Sequence, residues 1–426
     1  MSLWKWTMGG AMAAVLALAG AVWWLGMHDP VDVDDAGTAS AAAPEVLARG
    51  AYLARAGNCM ACHTRRGDVP YAGGRPIATP FGTVFSSNLT PDPQTGIGAW
   101  SAAHFWRAMH HGRSRDGRLL LPAFPYTSYT RVTRADSDAL WAYLRSLPAV
   151  SRTAQAHQLR WPYNTQWALA VWRTLYFRAG PLAPQENRGA DWNRGAYLVQ
   201  GLGHCSACHA PRNLLGASAD AEDLAGGQIP MQGWFAPSLL DASEAGVAQW
   251  EPAQVVQLLQ TGVSQRGSAL GPMAEVVLHS TQHLSRDDLR AMAIYLQTLP
   301  AHARSASPVV PATARTLALG ERIYKDHCAA CHGAGGEGVA LAYPPLAGNR
   351  AVRMDNTANL VQVVLRGGFS PATAGNPRPF GMPPYQMLLS DAEVAAVISY
   401  IRDAWGNQAG GVTELDVAQH RARPMQ

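Results

Sequence analysis

The chain has 426 residues, a formal net charge of +4 and 15% charged residues. The small positive charge gives no indication of nucleic acid binding, and the length is sufficient for several domains. The low charge content and the 14 tryptophans indicate extensive apolar contacts with a cofactor, partner subunits or lipid.

An uncharged apolar run lies near the start of the sequence. Trp6 to Met27 contains no charged residue and is long enough to cross a bilayer as a helix. Lys5 precedes the run and four aspartates follow it between positions 29 and 35, in agreement with the positive-inside rule. We therefore expect residues 1–30 to form a transmembrane anchor in a bacterial inner membrane, with the remaining chain on the periplasmic side. The alternative is an exported chain whose signal peptide is cleaved at Ala19-Gly20-Ala21.

All six cysteines fall into one repeated motif, Cys-x-x-Cys-His. The three copies are Cys59-Met-Ala-Cys62-His63, Cys205-Ser-Ala-Cys208-His209 and Cys328-Ala-Ala-Cys331-His332. In such a motif the two thiols bind the vinyl groups of one haem and the histidine becomes the proximal iron ligand. A thioredoxin-like redox pair would need a βαβ setting, and a zinc site would need a second ligand pair nearby in the chain. We therefore predict three covalently bound haem c groups, with His63, His209 and His332 as iron ligands.

Each motif belongs to a helical repeat. A leading helix precedes the motif, at Arg49–Leu53, Arg194–Leu198 and Gly320–Tyr324. A closing helix ends the repeat and begins with a capping box, in which a hydroxyl and a carboxylate three residues later satisfy free backbone N–H groups. These boxes are Thr133 with Asp136, Ser285 with Asp288, and Ser390 with Glu393. Leu147-Pro148 and Leu299-Pro300 end the first two closing helices.

The predicted fold is all-α, with three concatenated class I cytochrome c domains after the transmembrane helix. The domains cover residues 45–150, 189–300 and 316–408, and a tail covers residues 409–426. A linker at 301–315 is rich in Pro, Ala and Ser. The linker at 151–188 is rich in aromatic residues, which either pack between domains or form a surface helix that contacts the membrane or a partner.

Methionine is the usual sixth ligand of a haem iron that relays electrons, because its sulfur raises the reduction potential. Met273 lies just before the closing helix of the second repeat, and Met382 has the same place in the third. We predict both as iron ligands, with Met387 as the reserve for Met382.

The first repeat departs from this pattern. Phe124 stands where the other repeats carry methionine, and Met109 stands where they carry Leu259 and Leu365. We therefore predict Met109 as the sixth ligand of the first haem, approaching from the central helix. Two alternatives are open. In one, His110 or His111 is the ligand, and in the other the sixth position is open and Met109 belongs to the core.

Four strings carry a family resemblance. They are Asn88-Leu-Thr-Pro-Asp-Pro, Pro-Ala-Phe124-Pro-Tyr126, Gly271-Pro-Met273-Ala-Glu and Met382-Pro-Pro-Tyr. From about residue 45 to 408 the chain resembles the three-haem cytochrome c subunits of membrane-bound bacterial dehydrogenases. The resemblance implies an electron-transfer subunit that takes electrons from a catalytic dehydrogenase subunit and passes them to ubiquinone or a terminal oxidase. An iron–sulfur subunit is a further candidate partner.

The first repeat also bears on the partner. Subunits of the alcohol and gluconate branch typically have methionine in the Pro-Ala-x-Pro-Tyr turn, whereas this chain has Phe124 together with Ala108-Met109. This combination is more similar to cytochromes that accompany molybdopterin hydroxylases, so we expect a molybdopterin aldehyde dehydrogenase as partner. A quinoprotein (PQQ) alcohol dehydrogenase or a flavin gluconate dehydrogenase is the alternative.

Two other functional classes remain as hypotheses. A peroxidase-like haem enzyme would use an open first haem with His110 and His111 nearby, and a free-standing relay between quinol and an oxidase would need no dehydrogenase. The sequence contains no Gly-rich nucleotide motif or hydrolase triad. We therefore expect substrate chemistry on another chain and assign no catalytic residue.

Overall fold

The computed structural model describes residues 10, 12–13, 16–17, 20–28, 42–218, 222–302 and 308–422. The chain forms two compact units. The first comprises Met1–Ala183, Gln200–His204 and Asn213–Ala219, and the second comprises Pro184–Val199, Cys205–Arg212 and Asp220–Gln426. The first Cys-x-x-Cys-His motif lies in the first unit, and the other two lie in the second.

The first unit contains one helical repeat and a small sheet. Its elements are α1 (Pro44–Ala56), α2 (Cys59–His63), β1 (Pro76–Thr79), β2 (Gly82–Phe85), α3 (Ala102–His111), α4 (Tyr126–Tyr129), α5 (Arg134–Arg145), β3 (Gln158–Leu159) and α6 (Gln166–Tyr176). Strands β1 and β2 pair antiparallel, and β3 adds to β2 through Gly82 and Leu159. The predicted aromatic linker therefore contributes a strand and a helix to the first unit.

Except for Gln200–His204 and Asn213–Ala219, which belong to the first unit, the second unit contains two helical repeats. The first has α7 (Ala190–Tyr197), which continues as a π-helical turn over Leu198–Leu202, then α8 (Ser206–His209), β4 (Gly227–Gln228), β5 (Phe235–Ala236), α9 (Pro252–Thr261), β6 (Val263–Ser264), β7 (Gly267–Ser268), α10 (Pro272–His279), a 3₁₀ turn (Thr281–His283) and α11 (Arg286–Gln297). The next has α12 (Ala314–His327), α13 (Ala329–His332), α14 (Arg350–Arg353), α15 (Ala358–Arg366), β8 (Gly368–Phe369), β9 (Gly381–Met382), α16 (Asp391–Asp403), a 3₁₀ turn (Ala404–Gly406) and α17 (Glu414–Arg421).

The chain is largely helical, as predicted, but the all-α prediction omitted the short antiparallel strands. Besides the sheet of β1, β2 and β3, the second unit has the pairs β4–β5, β6–β7 and β8–β9. Each of these strands has two residues, which is too short to produce a detectable alternation of apolar and polar residues.

The leading and closing helices of each repeat pack against each other. The pairs are α1 with α5, α7 with α11, and α12 with α16. A glycine of each leading helix lies against the backbone of an alanine in the closing helix, at Gly50 and Ala139, Gly195 and Ala291, and Gly320 and Ala396. Because glycine has no Cβ, the two backbones approach closely.

The closing helices begin at the predicted caps. The hydroxyl groups of Thr133, Ser285 and Ser390 accept from the backbone N–H three residues later at 3.2, 3.1 and 3.3 Å. The Glu393 carboxylate completes the predicted box by accepting from the Ser390 N–H at 2.8 Å. Helices α5 and α11 end at Arg145 and Gln297, shortly before the Leu-Pro pairs.

The carboxylates of the first two caps also pair across the helix crossing. Asp136 accepts from Arg49 Nε at 2.7 Å. Asp288 accepts from both Nε and Nη2 of Arg194 at 2.8 Å. These ion pairs join the leading helix to the closing helix, a role that the capping pattern did not predict.

Part of the predicted anchor, Trp6 to Met27, lies outside the described residues. Its end, Trp23–Met27, forms a π-helical turn that packs against α6, where Val22 contacts a cluster with Leu169 and Ala170. Within the described ranges, no helix has both the length and the apolar character needed to span a membrane.

Candidate haem-binding sites

Each Cys-x-x-Cys-His motif forms a short helical turn directly after the leading helix. These turns are α2, α8 and α13. All six cysteines lie in the described residues, and none of them forms a disulfide bond. Residues three apart lie on the same side of a helical turn, so both thiols of a motif face one side, which is the arrangement that two thioether bonds to one porphyrin require.

Each of the three motif histidines forms the same type of hydrogen bond, from its ring to a backbone carbonyl. Their Nδ1 atoms lie 2.7, 2.7 and 3.0 Å from the carbonyl oxygens of Ser87, Pro237 and Pro344. A carbonyl oxygen only accepts, so Nδ1 carries the proton and donates, and Nε2 keeps a lone pair for a metal. Metal-bound histidines typically have this arrangement. The residues present therefore fit an iron ligand at each motif.

The surroundings of the motifs are apolar. Burial lowers the pKa of His63, His209 and His332, which keeps each imidazole neutral and able to bind iron. Burial also raises the pKa of the Cys59 and Cys205 thiols to about 12. A site that disfavours charge in this way suits a porphyrin.

The carbonyl partners of the histidines were not predicted from the sequence. Ser87, Pro237 and Pro344 follow their histidines by 24, 28 and 12 residues, so no fixed spacing marks them. A weak signal exists, because each is followed two residues later by leucine, at Leu89, Leu239 and Leu346. An alignment of the three repeats after the motif would have been needed to detect it.

Met273 and Met382 lie on different elements. Met273 is the second residue of α10 and follows Gly271, whose φ of +53° favours glycine. Met382 ends β9 and packs against the core of its domain. The reserve candidate Met387 is 92% exposed, so the structure favours Met382. Both assignments remain predictions.

The first motif has a different environment. Met109 is buried on α3, with 5% of its surface exposed. Phe124 lies 5.3 Å from Tyr129 between ring centres, and burial together with the thiols of Cys59 and Cys62 raises the pKa of Tyr129. Phe124 therefore belongs to an aromatic cluster beside the first motif, while Met109 lies on the central helix, as the repeat comparison predicted.

The histidine alternatives differ in their contacts. The His110 ring stacks on Trp106 with centres 4.2 Å apart and hydrogen-bonds to the backbone of Thr130. It is buried within the first unit. His111 lies edge-on to it at 4.7 Å. These contacts hold the His110 ring in the core, where Met109 is also buried. Met109 stays the predicted ligand, with His110 and His111 as the alternatives.

Comparisons with known proteins identify the family to which the chain belongs. The family model for cytochrome c matches residues 47–148 and 317–405. The cytochrome c subunit of the quinone alcohol dehydrogenase of Gluconacetobacter polyoxogenes is 39% identical over 91% of this chain and 87% of its own length. The chain belongs to the cytochrome c subunits of bacterial dehydrogenases. The predicted resemblance is thereby confirmed, and an electron-transfer role follows from it.

Other dehydrogenase subunits are similar to the same extent. The gluconate 2-dehydrogenase cytochrome c subunit of Pantoea cypripedii is 39% identical over 88% of this chain and 89% of its own length. A nicotinate dehydrogenase subunit of Pseudomonas putida is 43% identical over 99% of this chain. The present chain spans only 35% of the length of that Pseudomonas protein.

Proposed function

We propose that this cytochrome subunit relays electrons through three covalently bound haem c groups, from a catalytic dehydrogenase subunit to ubiquinone or a terminal oxidase. The second motif lies outside the ranges matched by the family model. The observation that supports a third haem is the 2.7 Å hydrogen bond from His209 Nδ1 to Pro237, which repeats the bond of His63 in the first unit.

The chain's own residues hold each haem and set its potential. Bound haem supplies the iron that accepts and releases one electron. The cysteine thiols would attach the porphyrin, the histidine Nε2 would bind the iron, and the sulfur of Met109, Met273 or Met382 would serve as its further ligand. The carbonyl that accepts from Nδ1 fixes the histidine ring.

Haem analysis tests the proposed count. We expect about three haems per chain in a pyridine haemochrome assay, all resistant to acid-acetone extraction because they are covalently bound. Two haems per chain, or extractable haem, would contradict the proposal. In the purified complex, substrate should reduce all three haems.

The proposed partner is a molybdopterin aldehyde dehydrogenase with an iron–sulfur subunit. Support comes from the exchange of Phe124 and Met109 relative to the other repeats and from the similarity to the nicotinate dehydrogenase relative over 99% of the chain. The alternative, a PQQ alcohol or flavin gluconate dehydrogenase, is supported by the other relatives. Affinity purification of the full chain from its source, followed by analysis of the co-purifying subunits for pterin, PQQ and flavin, distinguishes the two.

We also propose that residues 1–30 anchor the chain to a bacterial inner membrane, on its periplasmic side. Trp167, Val171 and Leu175 form an exposed apolar stripe on α6, at the spacing of one helix face. The π-helical turn Trp23–Met27, at the end of the apolar run, packs against this same helix. An apolar stripe that contains tryptophan is typical of helices lying at a membrane surface. Resistance of the native protein to carbonate extraction, and an N-terminal sequence that starts before Trp6, would agree with the anchor. A mature N-terminus near Val22 would contradict it.

A further inference from the structure

The side chain of Asn359, in the third domain, binds the backbone of the second domain. Asn359 lies at the start of α15, and its Oδ1 accepts from the Phe235 N–H at 2.9 Å. Its Nδ2 donates to the Phe235 carbonyl at 2.8 Å. The amide of Asn359 therefore binds both backbone groups of one residue, as a neighbouring strand would. Both domains belong to the second unit.

The strand that contains Phe235 leads directly to a predicted haem site. Phe235 lies in β5, two residues before Pro237, whose carbonyl accepts from His209 Nδ1 at 2.7 Å. On its other edge β5 pairs with β4, and Gly226, next to β4, donates its N–H to the His209 carbonyl at 2.7 Å. Asn359 thus closes the outer edge of the small sheet that surrounds His209.

The contact is partly buried. The Phe235 side chain packs with Met354 and Ala358 of the third domain in a small buried cluster. This packing reduces the access of water to the two amide hydrogen bonds, which makes their loss costly. The position of β5 therefore depends on the docked third domain.

Helix α15 is fixed at its other end in the third haem site. In its last turn, the Val364 carbonyl accepts from the Tyr385 N–H and the Leu365 carbonyl accepts from the Gln386 N–H, both at 3.0 Å. Gly367, which follows the helix, lies against the backbone of Met382 and Pro383. One short helix therefore joins the proximal side of the second predicted haem to the segment that carries the predicted sixth ligand of the third.

We propose that Asn359 is a positioning residue for the second haem, because it holds β5 so that the Pro237 carbonyl accepts from His209. A strong hydrogen bond to Nδ1 makes the imidazole a better electron donor, stabilises Fe(III) and lowers the reduction potential. The potential of the second haem is then set partly by the docking of the third domain. The inference rests on the proposed haem attachment at Cys205 and Cys208.

The experiment follows the second haem separately from the others. In a Cys208→Ser background, one vinyl group of the second haem stays unsaturated, so its absorption shifts to longer wavelength and its redox titration is read there. Asn359→Leu, which has a similar shape but is larger, removes both hydrogen bonds to Phe235. We expect the reduction potential of the second haem to rise in this variant. The ratio of reduced to oxidised haem at fixed potential should change about threefold, which corresponds to about 28 mV for one electron. Asn359→Ser, which is smaller and less disruptive to folding, should give a rise in the same direction.

A matched control removes a different contact between the same two domains. Arg350 donates to the carbonyls of Ala242 and Gly246 at 3.1 and 2.7 Å, and its guanidinium lies 4.8 Å from the Trp250 ring centre. Arg350→Gln removes a positive charge, which favours Fe(III), so it should leave the potential of the second haem unchanged or lower it. An unchanged or lower potential in both Asn359 variants would overturn the inference, and so would an equal rise in Arg350→Gln. Failure of Cys208→Ser to shift the spectrum of one haem would instead contradict the proposed attachment.

Discussion

Gly195 lies directly against the backbone of Ala291, where the leading and closing helices of the second repeat cross. A Cβ on Gly195 would stand 2.6 Å from the carbonyl carbon of Ala291 and closer still to its oxygen. The equivalent distances to the carbonyl carbons are 2.8 Å for Gly50 with Ala139 and 2.7 Å for Gly320 with Ala396. All three crossings therefore depend on a residue without a side chain.

The first prediction follows from this contact. Gly195→Ala should force α7 and α11 apart and destabilise the second domain by about 3 kcal/mol, at the upper end of the usual cost of overpacking. Guanidinium unfolding of the full chain, followed at the haem absorption, should show an additional early transition. The control is Gly267→Ala, whose added Cβ would meet only Trp250, at 3.9 Å. Equal stability of the two variants would show that the crossing tolerates a methyl group.

The second prediction concerns Met109. If its sulfur binds the first haem iron, Met109→Leu should lower the potential of that haem and remove about a third of the absorbance from methionine bound to Fe(III). Folding should survive, with a packing cost below about 1.5 kcal/mol. Met273→Leu and Met382→Leu should each alter a different haem.

Met292 supplies the control for these methionine variants. It is buried in α11 with 4% of its surface exposed, similar to Met109, and is not predicted to bind iron. Met292→Leu should leave the spectrum unchanged. If Met109→Leu behaves in the same way, Met109 belongs to the core, and the spectra of His110→Ala and His111→Ala would then identify the ligand. A wild-type first haem that is already high-spin would instead support the peroxidase-like hypothesis.

The third prediction concerns the ion pair between Arg49 and Asp136. Asp136 is buried, so Arg49→Gln leaves its carboxylate without the guanidinium that compensates its charge. We expect a loss of about 1–3 kcal/mol in the free energy of unfolding. Arg134→Gln is the control, because Arg134 and Asp138 form an exposed pair within one helix that contributes less than about 1 kcal/mol. Similar losses in the two variants, measured by thermal unfolding, would argue against a structural role for the crossing pair.

The fourth prediction concerns the apolar stripe on α6. If haem attachment uses all six native cysteines, a single new cysteine can be labelled selectively with a nitroxide. In liposomes that contain the full chain, a label at Val171→Cys should be more accessible to oxygen than to a water-soluble nickel chelate, because the stripe faces lipid. A label at Leu388→Cys, on an exposed residue of the third domain, should show the reverse. The same aqueous pattern at both positions would exclude the proposed membrane contact.

The sequence predicted the helices and their caps because those signals are local. The closing helices begin at Thr133, Ser285 and Ser390 as expected, since a cap is defined within four residues. The hydrogen bonds between Asn359 and Phe235 join residues that are 124 positions apart in the sequence, so no local pattern predicts them. The pairing of Asp136 with Arg49 was also missed, because its capping role already accounted for the carboxylate.

The candidate site was predicted in part for the same reason. The motif gives the cysteines and histidines directly, whereas the carbonyl that accepts from each histidine lies in an irregular loop. The sequence does not distinguish Met109 from His110 as the sixth ligand, because the two residues are neighbours on one buried helix, and the choice stays a prediction.

Arg113 has a consequence for how far the first unit can lie from a membrane. Its Nη2 donates to the carbonyls of Gly26 and His28 at 3.1 and 2.8 Å, so the end of the apolar run is attached to the folded unit. Both carbonyls follow the alternative cleavage site at Ala19-Gly20-Ala21, so the same attachment exists in a processed chain. If the run is retained in the bilayer, no flexible linker separates the membrane from the first unit. The first domain would then lie at a fixed height above the lipid.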